Sequence, residues 1–296
     1  MVSKFSKVLV TGSSGFLGSN LVDFLKKEGH RVVLFDRVES KFKSEKDIEI
    51  IGDINNPDHI SEALKGCKAV FHYAALSDID NSKHNPKKTF EINVMGTLNL
   101  LNEMKKKKIK RFIFASSIYV YSDKGSFYKS SKVACESIID EYKNIFDLQP
   151  TILRFGSLYG PRAPKSNLIT KFLIEAINKN QISFNTDGNE LRDYIHVYDA
   201  SKLSVKSLSK KFINKELIIS GKTKAKIKEI ALMISEIMDN KINIRFKKNI
   251  NRENHYTLTP FKYRPSFAEK YMLNMDVDMG QGLLELIYEL EKKKNL

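Results

Sequence analysis

Hydrophobic and polar positions follow two rhythms in the first half of the chain. Short apolar runs recur at KVLVTG (7–12), RVVLFD (31–36), DIEIIGD (47–53), KAVFHYAA (68–75), KRFIFASS (110–117) and PTILRFG (150–156). Between them the period lengthens to that of a helix. In FLGSNLVDFLKKEG, Phe16, Leu17, Leu21, Phe24 and Leu25 share one face, and Gly29 is a stop signal. Short apolar strands alternating with amphipathic helices predict βαβ units and a parallel sheet covered on both faces. The fold class is therefore α/β, a doubly wound parallel sheet of the Rossmann type, with a smaller C-terminal substrate-binding subdomain.

Beyond residue 156 the rhythm loosens. GSLYGPRAPKSN reads as an irregular loop, LITKFLIEAINKN as a helix, ELIISG (216–221) as a strand, KIKEIALMISEIMD as a helix and GQGLLELIYELEKKK as a closing helix. The expected division is a dinucleotide-binding domain over 1–156, to which 190–221 returns, and a substrate-binding part made of 157–189 and 222–296.

With 296 residues and 42% hydrophobic content, the chain can bury a substantial core. Cys67 and Cys135 are too few for a disulfide framework and have no metal-ligand spacing, so they read as core residues in a reducing compartment. The six histidines show no paired spacing, so no metal site is expected. No leader pattern and no long apolar run appears, and a cytoplasmic, non-membrane protein is expected. The net charge of +15 comes from lysines scattered through KKKKIK, KTKAKIK and EKKKNL rather than interleaved with aromatics. That pattern points away from nucleic acid, although a basic surface would attract a polyanionic small substrate.

TGSSGFLG places Gly12, Gly15 and Gly18 between the first strand and the first helix, where glycines allow a tight turn and a close approach of backbone to a pyrophosphate. Asp36 ends the second strand, where a carboxylate accepts hydrogen bonds from ribose hydroxyls and repels a 2′-phosphate. This favours NAD; Arg37 beside it argues the other way. Asp53 after the third strand reads either as an adenine contact or as a helix cap.

Tyrosine four residues before lysine, a spacing that can lower a phenol pKa, occurs three times: Tyr128/Lys132, Tyr198/Lys202 and Tyr288/Lys292. Only the first follows a strand-end serine, Ser117. That context selects Tyr128 as base and acid, Lys132 as the cation that tunes it and binds ribose, and Ser117 as the group that orients a reacting hydroxyl. Tyr119 and Tyr121 read as pocket-lining groups. His196 reads as a packed or capping residue.

TGSSGFLG, Asp36, GDI (52–54), HYAA (72–75), Asn93 in EINVMGT, SSIYVY, YKSSK, RFGSLYGPR (154–162) and ELRDYIHVYDAS (190–201) occur in the order seen in the extended short-chain dehydrogenase/reductases. The chain resembles their NAD-dependent nucleotide-sugar epimerase/dehydratase family over residues 6–210. The resemblance implies a cofactor site of Gly12, Ser14, Gly15, Phe16, Leu17, Gly18, Asp36, Asp53, Ile54, Ala74, Ala75, Asn93, Tyr128 and Lys132. It implies a substrate site of Ser77, Tyr119, Ser157, Asn167 and Arg192, with Arg192 holding a nucleotide diphosphate.

Arg252 or Arg264 would add a second phosphate contact, and Lys165 a loop contact. Dehydratases of the family start a Thr-Asp-Glu triplet where this chain has Ser117, Ile118 and Tyr119, and decarboxylases commonly keep the glutamate. The resemblance thus implies a 4-epimerase acting on a nucleotide-diphosphate sugar, with a nucleotide-sugar ketoreductase as the nearest enzymatic alternative. Outside enzymes stands a redox-sensing or RNA-binding relative that has lost turnover. Helices around 87–107 and 129–146 match those through which members dimerise, implying a homodimer.

Overall fold

The computed structural model describes residues 6–184, 186–222, 224–239, 241–246, 268–270 (backbone only) and 277–294. Its first half runs β1 (Lys7–Thr11), α1 (Phe16–Lys27), β2 (Arg31–Asp36), β3 (Ile48–Ile51), α2 (Pro57–Ala63), β4 (Ala69–His72), α3 (Ile79–His84), α4 (Pro86–Phe90), α5 (Gly96–Lys106), β5 (Arg111–Ser117), α6 (Ser126–Phe146) and β6 (Gln149–Phe155). The second half runs β7 (Ser157–Tyr159), α7 (Leu168–Lys179), β8 (Gln181–Phe184), β9 (Leu191–His196), α8 (Val197–Lys206), β10 (Lys215–Ile219), β11 (Lys224–Lys226), α9 (Ile227–Ile237), β12 (Asn243–Phe246), β13 (Ala268–Lys270) and α10 (Met279–Lys294).

Among the described residues, eight parallel strands form the main sheet in the order β13-β10-β6-β5-β4-β1-β2-β3. The order reverses between β1 and β4, which opens a crevice at their carboxyl ends where ligands of such sheets bind. The strands are apolar without alternation because both faces are covered. Leu9, Val33 and Phe112 pack with Leu100, Met104 and Ile139 on one side. Val8, Val10, Leu34 and Ile113 pack with Leu21, Leu25 and Leu203 on the other. Each fully buried side chain of this kind stabilises the fold by about 1.5–3 kcal/mol. Cys67 and Cys135 are buried free thiols.

A third core, including Phe172, Ile182, Phe184, Ile230 and Leu283, holds α7, α9 and α10 around two small sheets, β11-β9-β7 and β12-β8. Two departures from the sequence reading concern local pairing. The stretch expected to be an irregular loop contains β7, because Ser157–Tyr159 finds a parallel partner in β9. The helix expected over 87–107 is interrupted by a π-helical turn at Glu91–Met95, inside which Asn93 is turned inward and buried.

Candidate active site

At the first βα turn, Gly12 has φ +71°, and a Cβ there would lie 2.6 Å from the Ala74 nitrogen. A Cβ on Gly18 would lie 2.0 Å from the Gly12 carbonyl oxygen. Only glycine lets helix and turn approach this closely. Gly15 caps α1 without any side-chain hydrogen bond, and the first turn holds no acidic residue. The leading amides and the positive end of the helix dipole are thus left for an anion.

Across the turn, Asp36 accepts from the Ser14 amide at 3.0 Å and from the Arg37 amide at 2.7 Å. Both its oxygens are fixed at the end of β2, with acceptor capacity left for hydroxyls. Phe16 faces the cleft and Leu17 packs into the core beneath. These features fit a dinucleotide on this structure's own geometry.

Asp53 accepts from the Asn55 amide at 2.8 Å, while Asn56 caps α2 through the amides of Asp58 and His59. Of the two roles open in the sequence, capping therefore falls to Asn56. The Ile54 side chain is buried against Gly96. The loop after β4, carrying Ala74 and Ala75, is tied down from both sides. Thr11 Oγ1 accepts from the Tyr73 and Ala74 amides at 3.2 Å, and Asn93 both accepts from the Leu76 amide at 2.7 Å and donates to the Leu76 carbonyl at 3.1 Å. Asn93 also donates to Ser131 Oγ on α6 at 2.9 Å, so it joins this loop to that helix. His72 below bridges Thr11 and Thr97, and burial, assisted by the Lys132 charge, pushes its pKa down to about 3.

The three residues expected to react meet where β5 ends. Ser117 is buried at the strand terminus, and its hydroxyl is hydrogen-bonded to the Tyr128 phenol. Tyr128 lies in the first turn of α6, with its amide donating to Ser82 Oγ of α3 at 3.2 Å. Lys132 is 3% exposed. It donates to the Ala115 carbonyl at 2.8 Å and sits 5.8 Å from the Tyr128 ring centroid. One of its three donors is thereby used and two are left. Desolvation pushes the phenol up to about 12 and the ammonium down to about 8; in both cases burial disfavours the charged form.

A cleft of about 740 Å³ opens from this point toward the smaller core. Ser77, Ser117, Tyr119, Tyr128, Ser157, Asn167 and Arg192 all line it. Tyr119 is buried and meets Tyr128 edge-on, with centroids 6.5 Å apart. Gly125, at φ +104°, makes room for it, since a Cβ there would lie 2.6 Å from the Tyr119 ring. Asn167 caps α7 by accepting from the Ile169 and Thr170 amides, and donates to the Leu158 carbonyl at 2.9 Å.

Tyr121 corrects the sequence reading. It does not line the cleft, because its hydroxyl is taken by Arg154 and its ring lies 4.9 Å from that guanidinium. Lys165 is exposed between the lining residues Pro164 and Ser166 and is not itself part of the wall. Arg252 and Arg264 lie outside the described residues. His196 caps α8, accepting from the Tyr198 amide at 3.3 Å, and burial pushes its pKa down to about 4.

Sequence reasoning missed much of the wall. Asp78, Asp80 and Lys83 from α3 and its cap face the cleft from one side, and Lys171, Phe184, Thr186 and Glu190 from the other. Of these only Glu190 carried a signal, two positions from Arg192 in a strand-like stretch whose alternate residues share a face. Among the described residues, no group of three or more His, Cys, Asp or Glu comes together as a metal site. None of their helices is long and apolar enough to cross a membrane.

A pyrophosphate-ready turn on one side of a sheet's switch point, with a phenol and an ammonium at a strand end on the other, is the build of a nicotinamide-dependent enzyme. Comparison with known proteins narrows the class. Residues 8–219 match the model of the NAD dependent epimerase/dehydratase family, and the chain belongs to that family. Its cofactor is NAD. A protein named "Putative UDP-glucose 4-epimerase" of Methanocaldococcus jannaschii is 33% identical over 225 residues, covering 68% of this chain and 73% of that protein. UDP-glucuronic acid decarboxylase 1 of Arabidopsis thaliana is 25% identical and covers 97% of this chain and 70% of its own. Among solved structures, a UDP-N-acetylglucosamine 4-epimerase of Methanobrevibacter ruminantium in complex with UDP-N-acetylmuramic acid has a TM-score of 0.87 at 23% identity. It covers 98% of this chain and 100% of that one, a likeness of fold.

Proposed function

We propose that the protein is an NAD-dependent nucleotide-sugar 4-epimerase. The observation that carries this reading is the make-up of the reacting end. Ser117, Tyr128 and Lys132 meet there, and the ring of Tyr119 fills the place where the resemblance puts the carboxylate of elimination and decarboxylation. Redox chemistry is what such a set supports. The named relatives include epimerases and decarboxylases, so the missing glutamate is what separates the two readings.

NAD supplies a hydride acceptor in one half of the cycle and a hydride donor in the other. The chain's residues do the rest. Gly12, Ser14, Gly15, Phe16, Leu17 and Gly18 hold the pyrophosphate, and Asp36 holds the adenosine ribose. Asp53 and Ile54 border the adenine, while Ala74 and Ala75 sit on the loop that Asn93 fixes. Ser117 orients the sugar hydroxyl and Tyr128 takes its proton, later returning it to the opposite epimer. The Lys132 ammonium favours the phenolate and donates to nicotinamide ribose. Arg192 grips the diphosphate, and Ser77, Tyr119, Ser157 and Asn167 border the sugar.

In this reading residues 1–156 bind the cofactor, with 190–221 returning to them, and 157–189 with 222–296 shape the substrate site; the seam is not clean, since β13 joins the main sheet and Tyr194 the third core. A homodimer would pair the helical stretch 86–106 with α6, where Phe90, Met95, Phe127, Val133 and Ile145 are exposed.

The test is to incubate purified protein, without added reductant, with UDP-, GDP-, CDP- and dTDP-sugars and to follow them by nucleotide-sugar chromatography. Interconversion of one C4 epimer pair with no net NAD consumption is expected. Turnover only in a parallel incubation with added NADH or NADPH, consuming it stoichiometrically, would make it a ketoreductase, and carbon dioxide release from a UDP-uronic acid a decarboxylase.

A further inference from the structure

A second charged cluster lies directly behind the reacting end, outside the cleft. Glu136 stands one helical turn beyond Lys132 on α6. Its Oε1 accepts from Ser116 Oγ at 2.5 Å and from Arg154 Nε at 3.0 Å, and its Oε2 accepts from Arg154 Nη2 at 2.6 Å. Arg154, buried on β6, also pairs with Glu216 of β10 at 2.7 Å and donates to the Tyr121 hydroxyl. Neither Ser116, Glu136 nor Arg154 lines the cleft. Buried ion clusters are often no more stabilising than well-packed apolar groups, so stability alone is a weak account of this one.

Its attachment points suggest a different role. Ser116 directly precedes Ser117, and Tyr121 closes the short 3-10 turn that follows it (118–121). The cluster therefore grips the chain on both sides of Ser117, and through Glu136 fastens it to the helix that carries Tyr128 and Lys132. Charge adds a second effect. The groups facing Lys132 are Tyr128, Cys135 and Glu136 on its own helix, His72 of β4, and the Ala115 carbonyl and Phe114 ring of β5. Burial holds His72 neutral and pushes the Cys135 thiol up. Glu136 is then the negative charge that opposes desolvation of the ammonium.

The geometry points to Glu136 as a positioning residue: it locks Ser117 to Tyr128 across the strand–helix junction, one helical turn from Lys132. This inference rests on the epimerase reading for its kinetic readout. Glu136→Gln retains an acceptor for Ser116, removes the charge and leaves Arg154 paired with Glu216, so the fold is expected to survive.

For the holoenzyme, kcat falls about 10- to 100-fold with KM for the nucleotide sugar within about twofold. The alkaline limb of the pH profile moves about one pH unit lower, because an ammonium with less support loses its proton sooner. Glu136→Asp restores the limb but not the full kcat. Ser116→Ala lowers kcat several-fold and leaves the limb where it was. The same limb is also read without substrate, as the pH above which bound NAD is lost on gel filtration. If the wild type turned over no sugar while Glu136→Gln still shifted NAD release, the function would be wrong and the role of Glu136 right. An unmoved limb in both readouts, or kcat, KM and melting temperature worsening together with no limb shift, would overturn the role.

Discussion

Three helices carry a tyrosine followed four residues later by a lysine, and the pairs on α6 and α10 have opposite surroundings. On α6, Lys132 is 3% exposed and pinned to a strand carbonyl, and Tyr128 is hydrogen-bonded to the serine at the end of β5. On α10, Tyr288 is 62% exposed and Lys292 lies 4.5 Å over its ring, a cation–π contact in solvent. The i, i+4 spacing brings the groups together in both cases. What separates them is the packing: α6 lies against β5 and β6 with α3 over its first turn, while this face of α10 is exposed. Desolvation and a third partner, neither of which a helix supplies alone, make the difference between a buried, coupled pair and a surface contact.

The largest difference between the two pairs is expected at the tyrosines. Tyr128→Phe should lower turnover by about 10²- to 10⁴-fold, the range of general acid–base catalysis, with NAD still bound on gel filtration. Full activity in that variant would remove the catalytic assignment. Ser117→Ala should cost less, about 10- to 100-fold in kcat, because the phenol remains but the hydroxyl loses its orienting partner.

A smaller and opposite effect is expected on stability at the first lysine. The folded-state pKa of Lys132 is pushed down to about 8 by burial, below its unfolded value. The unfolded chain therefore binds more protons between the two, and this residue's contribution to stability rises with pH through that window. Below it, holding the ammonium in place is a cost of about 1–3 kcal/mol in the apoprotein. Lys132→Met should thus unfold later than wild type at pH 7, lose activity, and give up its advantage as the pH approaches 10, all measurable by denaturant titration. The smallest effects belong to α10: Tyr288→Phe and Lys292→Met should leave turnover unchanged within about twofold and stability within about 0.5 kcal/mol. A loss at Tyr288 equal to that at Tyr128 would collapse the distinction.

Much of the site is legible in the amino-acid sequence. The glycine turn, Asp36, Ser117, Tyr128 and Lys132 sit at strand ends or in the helical turn beside them, where the βαβ rhythm fixes position by counting. Arg192 and Ser157 are reachable because the order of motifs places them. Less legible are residues whose neighbours are remote in the chain. Asp78 and Lys83 face the cleft because α3 packs on α6 through Ser82, and Asn93 is turned inward by a π-helical turn. Tyr121 turns out of the cleft because Arg154 takes its hydroxyl.

The parallel sheet, the cofactor turn and the placing of Ser117, Tyr128 and Lys132 at one strand–helix junction follow from sequence alone, since they rest on periodicity and on conformational needs carried within a few residues. Tertiary packing settles the rest: how deeply the Tyr128–Lys132 pair is desolvated, how Glu136 and Arg154 clamp the strand end behind it, and which side chains wall the cleft. Burial and long-range pairing depend on where distant segments meet, and that is a property of the packed chain rather than of any local pattern.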